Sequence, residues 1–164
     1  MTERAKSKLT AADIMKRDLV VTYEHDTLQD AMSLMTENHV TGLPVVNSKG
    51  TCIGIISATD ILNYEQEHAE ETSEVNEDLA RLFNPDTQQW ESVRVGSFAL
   101  EQFGSLSVGE VMARELIFVS TSTPLKEVAK KMVDERIHRV LVLNSERGLR
   151  GIISATDFVQ LYAE

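Results

Sequence analysis

Seven consecutive residues occur twice in this chain. Gly54-Ile55-Ile56-Ser57-Ala58-Thr59-Asp60 returns letter for letter as Gly151-Ile152-Ile153-Ser154-Ala155-Thr156-Asp157, 97 positions on. A match of that length within 164 residues marks an internal duplication, and it restricts the fold to two units of one kind. At the same offset, and without a gap, Ile14-Met15 meets Val111-Met112, Leu28 meets Leu125, Met35 meets Met132, Val45 meets Val142 and Asn47 meets Asn144. Two copies at so long a period exclude a solenoid and predict a pseudo-two-fold pair.

Each copy reads the same way. Residues 10–16 and 107–113 predict a short leading helix. Leu19-Val20-Val21 and Leu116-Ile117-Phe118-Val119 are β-prone runs. A helix follows, with Asp26 and Thr123 as N-cap candidates and Pro124 at the first helical position of the second copy. Leu28, Ala31, Met32 and Met35 recur at i, i+3, i+4 and i+7, as do Leu125, Val128, Ala129 and Met132, so these methionines are read as core packing. Leu43-Pro44-Val45-Val46 and Val140-Leu141-Val142-Leu143 are continuous apolar runs, the pattern of strands covered on both faces. Turn chemistry at Asn47–Gly50 and Asn144–Gly148 leads into the Gly-Ile-Ile strand, and a last helix starts at the repeated aspartate. The predicted fold class is α/β, or α+β: two β-α-β-β-α units with a helical or irregular acidic insert between them. At roughly fifty-five residues one unit alone is marginal, so the pair supplies the missing core. The expected division is a tail over 1–8, a first domain over 9–62, the insert over 63–104 and a second domain over 105–164.

The charge sits in the insert. Residues 63–105 hold ten acidic and two basic residues, −8 of the net −10. Glu65 to Asp78 reads as a solvated helix face or a frayed segment, and Trp90-Glu91-Ser92-Val93-Arg94-Val95 alternates like a strand. So acidic a chain repels a phosphate backbone, which argues against a nucleic-acid partner. No apolar run approaches the ~18–20 residues of a membrane span. Cys52 is the only cysteine, which rules out an internal disulfide or a multi-cysteine zinc site and fits a reducing cytoplasm.

No catalytic constellation stands out. Ser57 and Ser154 lie outside any Gly-x-Ser-x-Gly elbow, and His25, His39, His68 and His138 show no metal-ligand spacing. No glycine-rich phosphate loop is present. The expectation is no enzyme and no metal. The informative element is the repeated strand end. Ser57 or Thr59 can cap the next helix, with Asp60 in its first turn, and this needs no ligand. The same arrangement can also hold an anion at the helix start while the carboxylate accepts hydrogen bonds from vicinal sugar hydroxyls, a combination suited to a nucleotide.

The two units resemble the paired CBS domains named after cystathionine β-synthase, an arrangement called a Bateman module. The likeness spans about residues 9–65 and 105–163 and rests on Ile14-Met15, Leu28 with Ala31, Leu43-Pro44-Val45-Val46-Asn47 and Gly54-Ile55-Ile56-Ser57 with Asp60, together with their second copies. It implies a non-catalytic regulatory module that senses AMP, ADP or ATP, with S-adenosylmethionine also in range, in a cleft between the two domains. It further implies a homodimer and an unnamed protein partner regulated in trans. Carried over by position, it predicts one preferred site of Ser57, Thr59, Asp60, Ile117, His138 and Arg139. A weaker site would consist of Val20, Thr41, Ser154, Thr156 and Asp157, without a cation. The alternative is a ligand-independent dimeric scaffold that binds partners through the acidic insert.

Overall fold

The computed structural model describes residues 2–68, 77–84, 88–96 and 106–164. Chain contacts divide it into two compact units. One comprises Val20–Lys49 and Ile53–Leu116, and the other Met1–Leu19, Gly50–Cys52 and Ile117–Glu164.

The first of these units carries the first copy. Strand β1 (Thr22–Tyr23) pairs in parallel with β2 (Gly42–Val46), Thr22 opposite Val45, and β3 (Cys52–Ser57) completes a sheet of order β1-β2-β3. Helix α3 (Leu28–Glu37) connects β1 to β2, and α4 (Ala58–His68) follows β3. Leu28, Ala31 and Met35 of α3 close over Leu43, Val45 and Ile56 of the sheet and Ile61 of α4. Helix α5 (Val108–Val111) adds Val108 and, just beyond it, Met112 to this core.

The second unit repeats the plan with β6 (Phe118–Ser120), α6 (Leu125–Asp134), β7 (Arg139–Leu143), β8 (Leu149–Ser154) and α7 (Ala155–Ala163). Strand β6 is parallel to β7, and β8 is antiparallel to β7 with a register shift at Val142/Leu143. Val128 and Met132 of α6 pack on Val140, Val142 and Ile153. Here the extra helix is α2 (Ala11–Ile14), which brings Ala11 and Met15. A four-residue α1 (Glu3–Lys6) precedes it.

The leading helices are therefore exchanged. Sequence reading placed residues 10–16 at the head of the first copy, yet α2 belongs to the unit of the second copy, and α5 to that of the first. Glycine makes room for this. A Cβ on Gly54 would lie 2.6 Å from Met112 Sδ, and one on Gly151 would lie 2.7 Å from Met15 Sδ. Each methionine occupies the space a side chain would fill.

Smaller readings also shift. The helix caps fall one residue later than expected, at Thr27 and Pro124. Asp26 is engaged elsewhere: its Oδ2 accepts from Thr22 Oγ1 and Tyr23 N–H, both at 2.8 Å. Thr123 Oγ1 likewise accepts from Ser120 N–H at 3.0 Å. The first strand of each copy starts later than its apolar run. In the insert, Trp90 falls within β5 (Gln89–Gly96), which is antiparallel to β4 (Glu77–Asn84). Glu77 and Asp78 are thus in a strand rather than in a helix face, and 69–76 lie outside the described residues. β4 runs beside α3 and β5 beside α4. Met35 and Met132 are buried, as their spacing predicted, while Met32 is only half-buried against the same core; Met15 and Met112 are buried as well.

Candidate functional site

Both copies of the heptapeptide end a strand and begin a helix. At the first junction Asp60 Oδ2 accepts from Ser57 N–H and Ser57 Oγ–H, each at 2.9 Å, while Asp60 N–H donates to Ser57 Oγ at 3.1 Å. At the second junction Asp157 and Ser154 make the same three bonds at 2.7, 3.0 and 3.4 Å. This is a reciprocal cap that satisfies donors the helix start would otherwise leave open. The serine is the cap in both cases; Thr59 and Thr156 are exposed on the first helical turn. The junction is also tied to the start of the middle strand: Ala58 N–H donates to the Thr41 carbonyl and Ala155 N–H to that of His138, both at 2.9 Å.

The two junctions differ at the second carboxylate oxygen. Asp157 Oδ1 lies 3.1 Å from Lys16 Nζ, with the Asp157 side chain 5 % and the Lys16 side chain 60 % exposed. Asp60 is half-buried, and among the described residues its Oδ1 makes no hydrogen bond or ion pair. Backbone geometry does not cause the difference. Lys16 forms a two-bond bridge with Ile152 (N–H to carbonyl 2.9 Å, and 3.1 Å in return). Ala113, its counterpart at the 97-residue offset, forms the same bridge with Ile55 at 2.8 and 2.9 Å. One position carries an ammonium and the other a methyl.

Lys16 is the residue sequence reasoning missed. The set around Asp157 is expected to lack a cation because the position that reads His138-Arg139 in the second copy reads Thr41-Gly42 in the first, and Lys16 stands outside that position. Only the exchange of leading helices brings it to Asp157. Of the remaining expected residues, Val20 and Thr41 share the unit of Ser57 and Asp60, whereas Ile117, His138 and Arg139 share that of Ser154 and Asp157. Val20 and Ile117 are half-buried against the core of their own unit. His138 is exposed, and Arg139 opens β7 opposite Ser154 in the register. Among the described residues, no three His, Cys, Asp or Glu side chains converge on a point that could hold a metal ion. No described helix is long and apolar enough to cross a membrane.

A duplicated pair of small α+β units, each with a serine–aspartate junction at its last strand, defines a tandem-domain protein. The chain belongs to the CBS domain family, whose pattern matches residues 11–67 and 108–164. It is 31 % identical over 155 residues to the uncharacterized protein MJ1426 of Methanocaldococcus jannaschii, covering 90 % of this chain and 88 % of that one. It is 25 % identical over 153 residues to the chloroplastic CBS domain-containing protein CBSX2 of Arabidopsis thaliana, spanning 92 % of this chain but only 62 % of CBSX2. A crystal structure of CBSX2 in complex with AMP has the same fold, with a TM-score of 0.67 at 22 % identity over 94 % of this chain and 96 % of that one. So does the CBS domain pair of protein MJ0100 in complex with 5′-methylthioadenosine and S-adenosyl-L-methionine, with a TM-score of 0.63 at 18 % identity over 94 % and 96 %.

Proposed function

We propose that this chain is a non-catalytic regulatory module that binds adenosine-containing ligands and passes the bound state to a protein partner. The observation that carries this reading is the open oxygen of Asp60. Its carboxylate is held in place by the Ser57 cap yet keeps one oxygen for a ligand. A fixed carboxylate of that kind accepts a vicinal diol well, because no ordering cost remains to be met at binding. Kinship with CBSX2, a structure of which contains AMP, supports AMP as the first ligand to test, followed by ADP, ATP and S-adenosylmethionine.

In this reading the preferred site uses Ser57, Thr59 and Asp60, with Ile117 against the base and His138 and Arg139 on the phosphate. Ser154, Thr156 and Asp157, with Val20 and Thr41, form the weaker one. Ligand would act on a partner by favouring one of two packings of the module. Titration calorimetry with AMP on wild type and on Asp60→Asn tests this. Asparagine keeps an acceptor for the cap and removes the charge. The expected result is heat with wild type and an affinity lower by about ten- to a hundredfold in the variant, the worth of a charge-assisted hydrogen bond. Absence of heat with all four ligands sinks the reading and leaves the scaffold alternative.

Association with a second copy belongs to the same proposal. Helices α6 and α7 expose Val133, Val159 and Tyr162 to 76, 66 and 68 %. Val159 and Tyr162, three residues apart, share one face of α7, and exposed large apolar side chains on one helical face are a common mark of an interface. Sedimentation of wild type against Val159→Glu tests it: a dimer that the glutamate dissociates supports this face, and an unchanged mass removes it.

A further inference from the structure

We propose that Lys16 is a latch on Asp157, so that the two ligand positions are unequal and fill in order, Asp60 first. The inference rests on the reading that these two aspartates receive ribose hydroxyls. Its own support is the contrast between two junctions that are otherwise alike. Both aspartates spend Oδ2 on the serine cap. Asp60 leaves Oδ1 open, while Asp157 Oδ1 is held by an ammonium 3.1 Å away. A diol needs that oxygen. Binding at Asp157 must therefore displace the ammonium, and binding at Asp60 displaces no group of the described residues.

The latch is placed with care. Lys16 sits at the end of the exchanged leading segment, and its backbone is fixed by both bonds to Ile152. The carboxylate it meets is buried, which strengthens the pair, but the lysine side chain is 60 % exposed, so it can swing away into water. These opposing terms make the latch releasable. Ala113 offers no side chain that could do the same to Asp60. Lys16 acts here as a positioning residue: it sets how readily Asp157 accepts a ligand.

The test uses adenosine, which has the ribose but no phosphate, on the full chain. In an Asp60→Asn background the Asp157 position is read alone. The latch predicts that adding Lys16→Ala tightens adenosine by about three- to tenfold, the range of a partly screened pair. It also predicts that raising salt tightens adenosine in Asp60→Asn but not in the double variant, because salt weakens only the pair. Conversely, Ala113→Lys in the otherwise native chain should weaken adenosine at Asp60 by a similar factor. This arm also serves if Lys16→Ala proves unstable. If Lys16→Ala leaves adenosine unchanged or weakens it, the latch is overturned. If it weakens AMP alone, Lys16 is a phosphate contact and the latch is overturned as well. If wild type binds neither compound, the underlying ligand reading has failed, an outcome distinct from both.

Discussion

Gly151→Ala puts the exchange of leading helices to a quantitative test. An alanine in an extended strand is ordinarily neutral or favourable, since it removes about 0.4–1 kcal/mol of unfolded-state entropy. Here the structure reverses the sign. The new methyl would lie 2.7 Å from Met15 Sδ, 2.8 Å from Met15 Cγ and 2.9 Å from the Lys16 carbonyl oxygen. Carbon contacts are comfortable at about 3.5–4.0 Å, so the overlap approaches 1 Å. Met15 can rotate away at the expense of its buried packing. The carbonyl cannot, because it accepts from Ile152 N–H at 3.1 Å within the two-bond bridge. Overpacking typically costs about 1–3 kcal/mol, and loosening one backbone hydrogen bond adds about 1 kcal/mol. The expected loss is roughly 2–4 kcal/mol, and for a chain of this size each kcal/mol lowers Tm by about 2–4 °C. Urea and thermal unfolding followed by circular dichroism should therefore show a clear drop. In a Met15→Ala background the same Gly151→Ala change should cost less, by the part due to the methionine side chain, leaving the carbonyl contribution. A Gly151→Ala protein as stable as wild type, or more so, would refute the account of how the methionine and glycine fit.

Two other substitutions separate further causes. Met35→Ala, at a side chain with no exposure, should cost about 2–5 kcal/mol in chemical denaturation, whereas Ser33→Ala, exposed on the same helix, should stay within about 0.5 kcal/mol. Gly50→Ala should lose about 1 kcal/mol by the same measurement although nothing lies within 4 Å of the added methyl, because only its φ of +78° is unfavourable.

The legible part of the fold is the part governed by local pattern. The α3 and α6 stripes, the buried methionines and the serine–aspartate junctions all follow from residues within about seven positions of each other, where periodicity and capping act. The exchange was not legible for a physical reason. Ile14-Met15 and Val111-Met112 are nearly the same key, and the grooves at Gly54 and Gly151 nearly the same lock. Either pairing satisfies the apolar pattern, so sequence offers no basis for choosing. The consequence at the candidate site is specific. Lys16 lies outside the heptapeptide and outside the position where a cation is expected, so the difference between the two carboxylates stays hidden behind seven identical letters. The one-residue displacement of the caps has a similar origin: Asp26 and Thr123 are good capping residues already engaged in the turn before the helix.

The crossed leading segments also bear on how such a chain could arise. A single half carries both the methionine and a glycine recess of the matching shape, so two like halves can complete each other by lending the same short piece. Once both halves lie on one chain, the position after each methionine is no longer bound to be the same in both, and here it reads lysine in one copy and alanine in the other.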